Sequence, residues 1–274
     1  METTFSMFSA PESRALQTSL PLAAPPKQGQ SLTEKYRPQK FSDVVGQGYA
    51  IMKLTAYLEF PHPTAFIFSG ETGIGKTSLA LCLANELGIN RDWGLRHIKS
   101  GELDVEEVRA ALDQLRFACP CGSGWKMIIA DEADLMGSKS KGLWLSGLED
   151  IPPKSIIIFT TNEPDKFPAR FLDRCEHIRF EDSARTILQD AQVLLNRIWI
   201  GENLQGPPPS VERFPGIVNN GRLSFRRVVR AIEEESRRQT AQRAARPVER
   251  PVSGAGKATL TVSQHIENKA RVVL

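Results

Sequence analysis

The stretch Ser69-Gly70-Glu71-Thr72-Gly73-Ile74-Gly75-Lys76-Thr77-Ser78 spaces its glycines, its lysine and its hydroxyls as G-x-x-x-x-G-K-[ST]. Such a stretch can grip a polyphosphate. Many N–H donors must turn inward around the anion, and Gly allows the close approach and the dihedrals this requires without steric cost. Gly70, Gly73 and Gly75 meet that need, Lys76 supplies a point charge toward the β and γ phosphates, and Thr77 offers its hydroxyl to Mg²⁺. Further along, the apolar run Met127-Ile128-Ile129-Ala130 ends in Asp131-Glu132. Acidic residues at the C-terminal end of a strand sit beside the ligand crevice of an open α/β sheet, which places Asp131 at the magnesium and Glu132 at an attacking water. Another run, Ile156 to Phe159, ends in Thr160-Thr161-Asn162. The Asn162 amide can hold that water or the γ-phosphate, although Asn before Glu163-Pro164 also reads as a turn former.

These residues need a scaffold that delivers them to one edge. Ala65–Phe68, Leu95–Ile98, Met127–Ala130, Ile156–Phe159 and Ile178–Phe180 read as short strands. Continuous apolar runs of this kind suit a sheet covered on both faces. Lys76 to Leu87 and Val105 to Phe117 carry apolar residues at helical spacing. The expected fold is therefore α/β, a doubly wound parallel five-stranded sheet with a P-loop. After Phe180 the strands are expected to stop, with one helix over Ala184–Ile200, a break at Gly206-Pro207-Pro208-Pro209, and a last helix from Leu223 to about Arg238. The division this predicts is a flexible leader over 1–30, a nucleotide-binding domain over 31–181, a small helical lid over 182–239 and a flexible tail over 240–274.

Composition narrows the class. Of 274 residues 41% are hydrophobic and 24% charged, which is ordinary globular usage. Thirty-five Lys+Arg against 32 Asp+Glu leave +3, too little to indicate nucleic-acid binding but compatible with a local basic face. No apolar run approaches the ~18 residues of a membrane span, and the N-terminal segment, with Glu2 and Glu12, lacks the pattern of a secretory signal. No membrane association is expected, and the cytoplasm is the expected compartment. Among Cys82, Cys119, Cys121 and Cys175 the only close pair is C-P-C without a second pair, so no zinc is expected. Cys82 and Cys175 read as small buried apolar residues, and the C-P-C as a surface turn.

From about Leu32 to about Glu235 the chain resembles the AAA+ superfamily and, more narrowly, clamp-loader ATPase subunits, the replication factor C small subunits and the bacterial DnaX type. The resemblance opens at Leu32-Thr33-Glu34-Lys35-Tyr36-Arg37-Pro38 and Phe41-Ser42-Asp43-Val44-Val45-Gly46-Gln47. It implies that Tyr36, Arg37, Pro38, Val44 and Val45 form the base pocket of an ATP site; by itself this stretch reads as a Pro-punctuated loop leading to an apolar helix. Asp131-Glu132-Ala133-Asp134-Leu135-Met136 resembles the family's D-E-A-D stretch, and Asn162 matches its sensor-1 position. Phe171-Leu172-Asp173-Arg174-Cys175 is similar to the S-R-C motif, with Asp173 in place of the serine, which implies that Arg174 reaches into a neighbouring subunit's ATP site as an arginine finger. A surface ion pair is the plainer reading of Arg174. Asn219 to Arg227 resembles the start of the sensor-2 helix without its usual Asp; Arg226 is the best placement, with Arg227 and Arg222 as rivals.

The chain also departs from this family. The residues after Arg238 are too few and too rich in Pro and Gly for the helical collar that holds such subunits together, so assembly is expected to differ. Leu145 and Ser146 stand where replication factor C subunits present an Arg pair to DNA, and Lys139 and Lys141 are candidate phosphate contacts instead. The resemblance implies an Mg-ATP-hydrolysing subunit in DNA replication that loads or remodels a sliding clamp on primed DNA, with neighbouring subunits, primer–template DNA and the clamp as partners. Two alternatives stay open: an ATP-controlled assembly module that never touches DNA, and a fork-maintenance or Holliday-junction motor.

Overall fold

The protein is described by a computed structural model covering residues 31–117, 119 and 121–245. The expected leader, 1–30, and the part of the expected tail beyond 245 lie outside the described residues. In chain order the elements are α1 (Leu32–Lys35), α2 (Gly48–Glu59), β1 (Thr64–Ser69), α3 (Lys76–Glu86), β2 (Leu95–Ile98), α4 (Val105–Arg116), β3 (Lys126–Ala130), α5 (Ser138–Glu149), β4 (Ser155–Thr161), α6 (Ala169–Leu172), β5 (Glu176–Arg179), α7 (Ala184–Gly201), β6 (Val218–Asn219), β7 (Arg222–Leu223) and α8 (Phe225–Ala245).

The first five strands form a parallel sheet in the order β2-β3-β4-β1-β5. Successive side chains of a strand point to opposite faces. Phe66 and Phe68 accordingly join one core, with Leu54 of α2 and Leu79 and Leu83 of α3. Ala65 and Ile67 join the other, with Val108 and Leu115 of α4 and Trp144 of α5. Both faces are covered, which is why these strands read as unbroken apolar runs. The register aligns Ser69 with Thr161 and Ala130 with Phe159. The loops that leave β1, β3 and β4 therefore emerge side by side at one edge. A third core joins Ile187, Leu195 and Ile198 of α7 to Val228, Val229 and Ile232 of α8, with Leu32 of α1 against it.

Several expectations are corrected. Strands do not stop after Phe180: β6 and β7 make an antiparallel hairpin. Asn220 and Gly221 turn it with φ of 49° and 73°, the left-handed pair that a two-residue hairpin demands. Consequently α8 begins at Phe225 rather than Leu223. It also runs through Ala245, past the expected start of the tail, because Ala241, Gln242, Arg243, Ala244 and Ala245 are strong helix formers. β5 covers Glu176–Arg179 rather than Ile178–Phe180. At the sheet's edge only Ile178 of this strand is buried, so polar neighbours are tolerated. Within the expected Pro-punctuated loop, α1 forms one helical turn, started by the Ser31 hydroxyl, which accepts from the Glu34 amide.

Candidate functional site

The glycine-rich loop leaves β1 where the Gly70 amide donates to the Thr161 carbonyl at 3.2 Å. It turns through positive φ at Gly73 (80°) and Gly75 (107°) and delivers Lys76 as the first residue of α3. Gly73 is needed twice over. Besides its φ, a Cβ there would run into the Ser224 hydroxyl and would lie 2.8 Å from Arg226 Cβ. Lys76 Nζ donates to the Gly70 carbonyl (2.8 Å), the Glu71 carbonyl (2.9 Å) and Asn162 Oδ1 (2.8 Å). The residue is only 8% exposed. Burial lowers its pKa from 10.5 to about 8, against the pull of Glu71 and Asp131.

Asp131 follows β3. Its Oδ1 accepts from the hydroxyls of Thr77 (2.8 Å) and Thr160 (2.9 Å), and its Oδ2 lies 2.6 Å from His97 Nε2. Burial would raise this carboxyl, but the bonds from His97, Thr77 and Thr160 outweigh it and hold the pKa below the usual carboxylate range. Glu132 adopts φ 51°, a left-handed conformation that costs of order 1 kcal/mol or more in a non-glycine residue. Its amide donates to Thr160 Oγ1 at 3.1 Å, so this hydroxyl braces both acidic residues. Buried Asp134 accepts from Thr161 Oγ1 (2.8 Å) and from the Asn162 amide (3.4 Å), fastening the end of β4.

These groups line a cavity of about 270 Å³. Its lining includes Thr72, Gly73, Ile74, Gly75, Lys76, Thr77, Ser78, Asp131, Glu132, Thr160 and Asn162. Tyr36, Arg37, Pro38, Val44 and Val45 also line it, with Leu194 of α7 and Phe225 and Val229 of α8. Arg37 Nε is buried without a partner in this wall, a donor left over for a ligand. Glu202 ties α1 to the end of α7, accepting from Lys35 Nζ (2.6 Å) and the Tyr36 hydroxyl (2.8 Å). Arg197 donates to the Asp43 carbonyl at 2.8 Å.

The three candidate arginines at and just before the start of α8 separate clearly. Arg226 lines the cavity and its amide donates to the Gly73 carbonyl at 3.0 Å. Arg222 pairs with Glu71 at 2.6 Å, and Arg227 donates to the Gly216 carbonyl at 3.0 Å. Gly70 and Glu71 stay outside the lining, Gly70 accepting Lys76 and Glu71 turned toward Arg222. Arg174 is also outside it, paired with Glu149 at 2.9 Å and donating to the Arg170 carbonyl. Lys141 donates to the Lys166 carbonyl and sits over the Phe167 ring, while Lys139 borders a separate cavity of about 520 Å³. His97, Asp134, Leu194, Phe225 and Val229 were absent from the sequence reading of the site. His97 is reachable from the pattern only once β2 is known to lie against β3.

The donors beside Asp131 are hard oxygens, which suit Mg²⁺ rather than a thiolate-seeking metal. Among the described residues no group of three or more His, Cys, Asp or Glu could hold a metal ion alone. A cation at Thr77 and Asp131 would thus take further oxygens from a bound phosphate. The four cysteines are free; Cys82 is buried, whereas Cys175 is only partly so. No described helix is long and apolar enough to cross a membrane.

The family model of the ATPase family associated with various cellular activities (AAA) matches residues 66–182, from within β1 to two residues before α7. This segment is an AAA domain. Curated relatives carry the resemblance beyond it. The chain is 30% identical over 214 residues to DNA polymerase III subunit tau of Bacillus subtilis, covering 70% of this chain and 37% of that protein. It is 33% identical over 170 residues to the same subunit of Escherichia coli (53% and 26%), and 31% identical over 150 residues to the replication factor C small subunit of Methanothermobacter thermautotrophicus (54% and 46%). The chain thus spans less than half the length of each of these relatives. Its AAA domain is related to segments of these DNA polymerase III tau and replication factor C small subunits.

Proposed function

We propose that the AAA domain binds Mg-ATP in the 270 Å³ cavity and hydrolyses it with help from a neighbouring copy, as a clamp-loader-like subunit acting on primed DNA. One observation carries this reading: Lys76, the Thr77–Asp131 pair, Glu132, Asn162 and Arg226 line one cavity together with the apolar side chains of Val44, Val45, Leu194, Phe225 and Val229. That combination matches a triphosphate joined to a base. The base lies among Tyr36, Arg37, Pro38, Val44 and Val45, and the loop amides of 70–76 with the α3 N-terminus take the phosphates. Thr77 and Asp131 hold Mg²⁺, which when bound neutralises charge on the β and γ phosphates.

Glu132 orients the water that attacks the γ-phosphorus and accepts its proton as the bond to the β-phosphate oxygen breaks. Asn162 moves its amide oxygen from Lys76 to that water, and Lys76 turns from loop carbonyls to phosphate oxygens. Arg226 follows the γ-phosphate from α8, so occupancy is felt by the helical lid, expected over 182–239 and extended by α8 to 245, distinct from the 31–181 nucleotide-binding domain. Arg174, held off its own cavity by Glu149, is free to exchange that surface partner for the γ-phosphate of an adjoining subunit. The work so coupled is loading or remodelling a sliding clamp in the cytoplasm. This part is supported by the relatives named DNA polymerase III tau and replication factor C.

The test is ATPase activity with and without primed DNA and a clamp. The reading expects turnover stimulated by DNA, with stimulation falling steeply with salt as phosphate contacts are screened. Turnover indifferent to DNA and clamp would favour an ATP-controlled assembly module, and absence of ATP binding would remove the proposal altogether.

A further inference from the structure

We propose that His97 is a positioning residue for the cation that accompanies the nucleotide: by bonding Oδ2 of Asp131 it fixes the carboxylate so that Oδ1, on the Thr77 side, is the oxygen turned to the cation, and so favours Mg²⁺ over Ca²⁺. The inference rests on the nucleotide reading above. His97 lies on β2 opposite Ile129 of β3, two positions before Asp131. Its Nε2 approaches Asp131 Oδ2 to 2.6 Å. An ionised carboxylate only accepts, so the ring carries its proton on Nε2. The other oxygen, Oδ1, is the one beside the Thr77 hydroxyl at 2.8 Å and also receives Thr160 at 2.9 Å.

The two oxygens therefore have separate tasks. Oδ2 is engaged on the β2 side, and Oδ1 faces the hydroxyl expected to share the cation. Thr160 and His97 approach from different strands, so the carboxylate cannot swivel to offer both oxygens at once without losing the ring. Mg²⁺ is content with one carboxylate oxygen and retained waters in a near-octahedral shell, whereas Ca²⁺ takes six to eight oxygens and readily uses a carboxylate in bidentate fashion. Hydrogen-bonded partners behind a ligand ordinarily govern metal affinity by about 10–100-fold. A brace that merely held the sheet together would affect stability without changing which cation is preferred.

The experiment titrates Mg²⁺ and Ca²⁺ separately against binding of a fluorescent ATP analogue to the full chain. It compares wild type, His97→Phe and His97→Gln, the last keeping an N–H donor. His97→Phe is expected to weaken Mg²⁺-supported binding about tenfold and to shrink the Mg²⁺-over-Ca²⁺ preference by a similar factor, while cation-free binding of the analogue is unchanged. His97→Gln is expected to retain the wild-type preference to within about threefold. Should His97→Phe fail to fold, His97→Asn, too short to reach Asp131, is read the same way. An unaltered preference in a variant that still binds the analogue overturns the role of His97 and leaves the nucleotide site standing. A wild-type protein that binds the analogue with no preference between the two cations also overturns only the role of His97, whereas one that does not bind the analogue overturns the nucleotide reading and this inference with it.

Discussion

Replacing Lys76 by Met is expected to stabilise the nucleotide-free protein while abolishing its hold on a triphosphate. Lys76 is 8% exposed, and among the described residues its ammonium donates to two carbonyls of its own loop and to the Asn162 amide oxygen. Burial lowers its pKa from 10.5 to about 8, the opposing attraction of Glu71 and Asp131 being weaker. That gap corresponds to about 3 kcal/mol against the charged form near neutral pH. Met has similar length and no charge, but it strands three acceptors, which returns part of the gain. The net expectation is on the order of 1 kcal/mol, or ~2–4 °C in Tm for a protein of this size.

The pH dependence has a definite sign. Because the folded pKa lies below the unfolded one, the unfolded chain binds this proton more tightly between about 8 and 10.5, and wild-type stability receives a rising contribution across that window. The Met variant lacks that contribution. Nucleotide works in the opposite direction, since phosphates beside Nζ hold its proton. Wild-type affinity should be level below about pH 8 and fall above it by up to about tenfold per pH unit. Thermal denaturation of the nucleotide-free proteins, together with fluorescent-nucleotide titrations at both sides of about pH 8, measures both effects. A Met variant that melts lower than wild type at neutral pH, or a wild-type affinity that stays flat across that range, would refute the reasoning.

Glu132→Gln should keep ATP binding and lose about 10²–10⁴-fold in turnover; normal turnover would reassign the water-activating role. Mixing Arg174→Ala with Lys76→Met subunits should restore some ATPase, since one partner then supplies an intact phosphate loop and the other an intact arginine; mixtures as inactive as either parent would argue against a shared site. Gly73→Ala imposes a side chain at φ 80° and against Ser224 and Arg226, so a stability loss of about 1–3 kcal/mol and weaker nucleotide binding are expected. Unchanged melting and binding would mean that α8 does not dock on the loop through this contact.

Local chemistry made much of this protein legible from its residues in order. A phosphate loop is a contiguous string of glycines, lysine and hydroxyl, and the doubly covered strands are contiguous apolar runs, so both carry their signal within a few positions. Asp131, Glu132 and Asn162 were legible for the same reason, each standing within three positions of the end of such a run. The Asn220-Gly221 turn was local too, but a resemblance to a helix start masked it, and the helix-forming residues at 241–245 were read as tail by composition. What no local pattern could decide is which distant segments meet. His97 reaches Asp131 because the sheet sets β2 beside β3. Leu194, Phe225 and Val229 reach the cavity because α7 packs on α8 and both pack against Leu32 and Tyr36 of the N-terminal segment. Among three neighbouring arginines, Arg226 rather than Arg222 or Arg227 lines the cavity because the hairpin fixes where α8 starts and Gly73 lets it approach. Residue types determined what chemistry was available; packing between elements far apart in the chain decided which side chains share a cavity, since a contact depends on distance in space, which one-dimensional spacing does not encode.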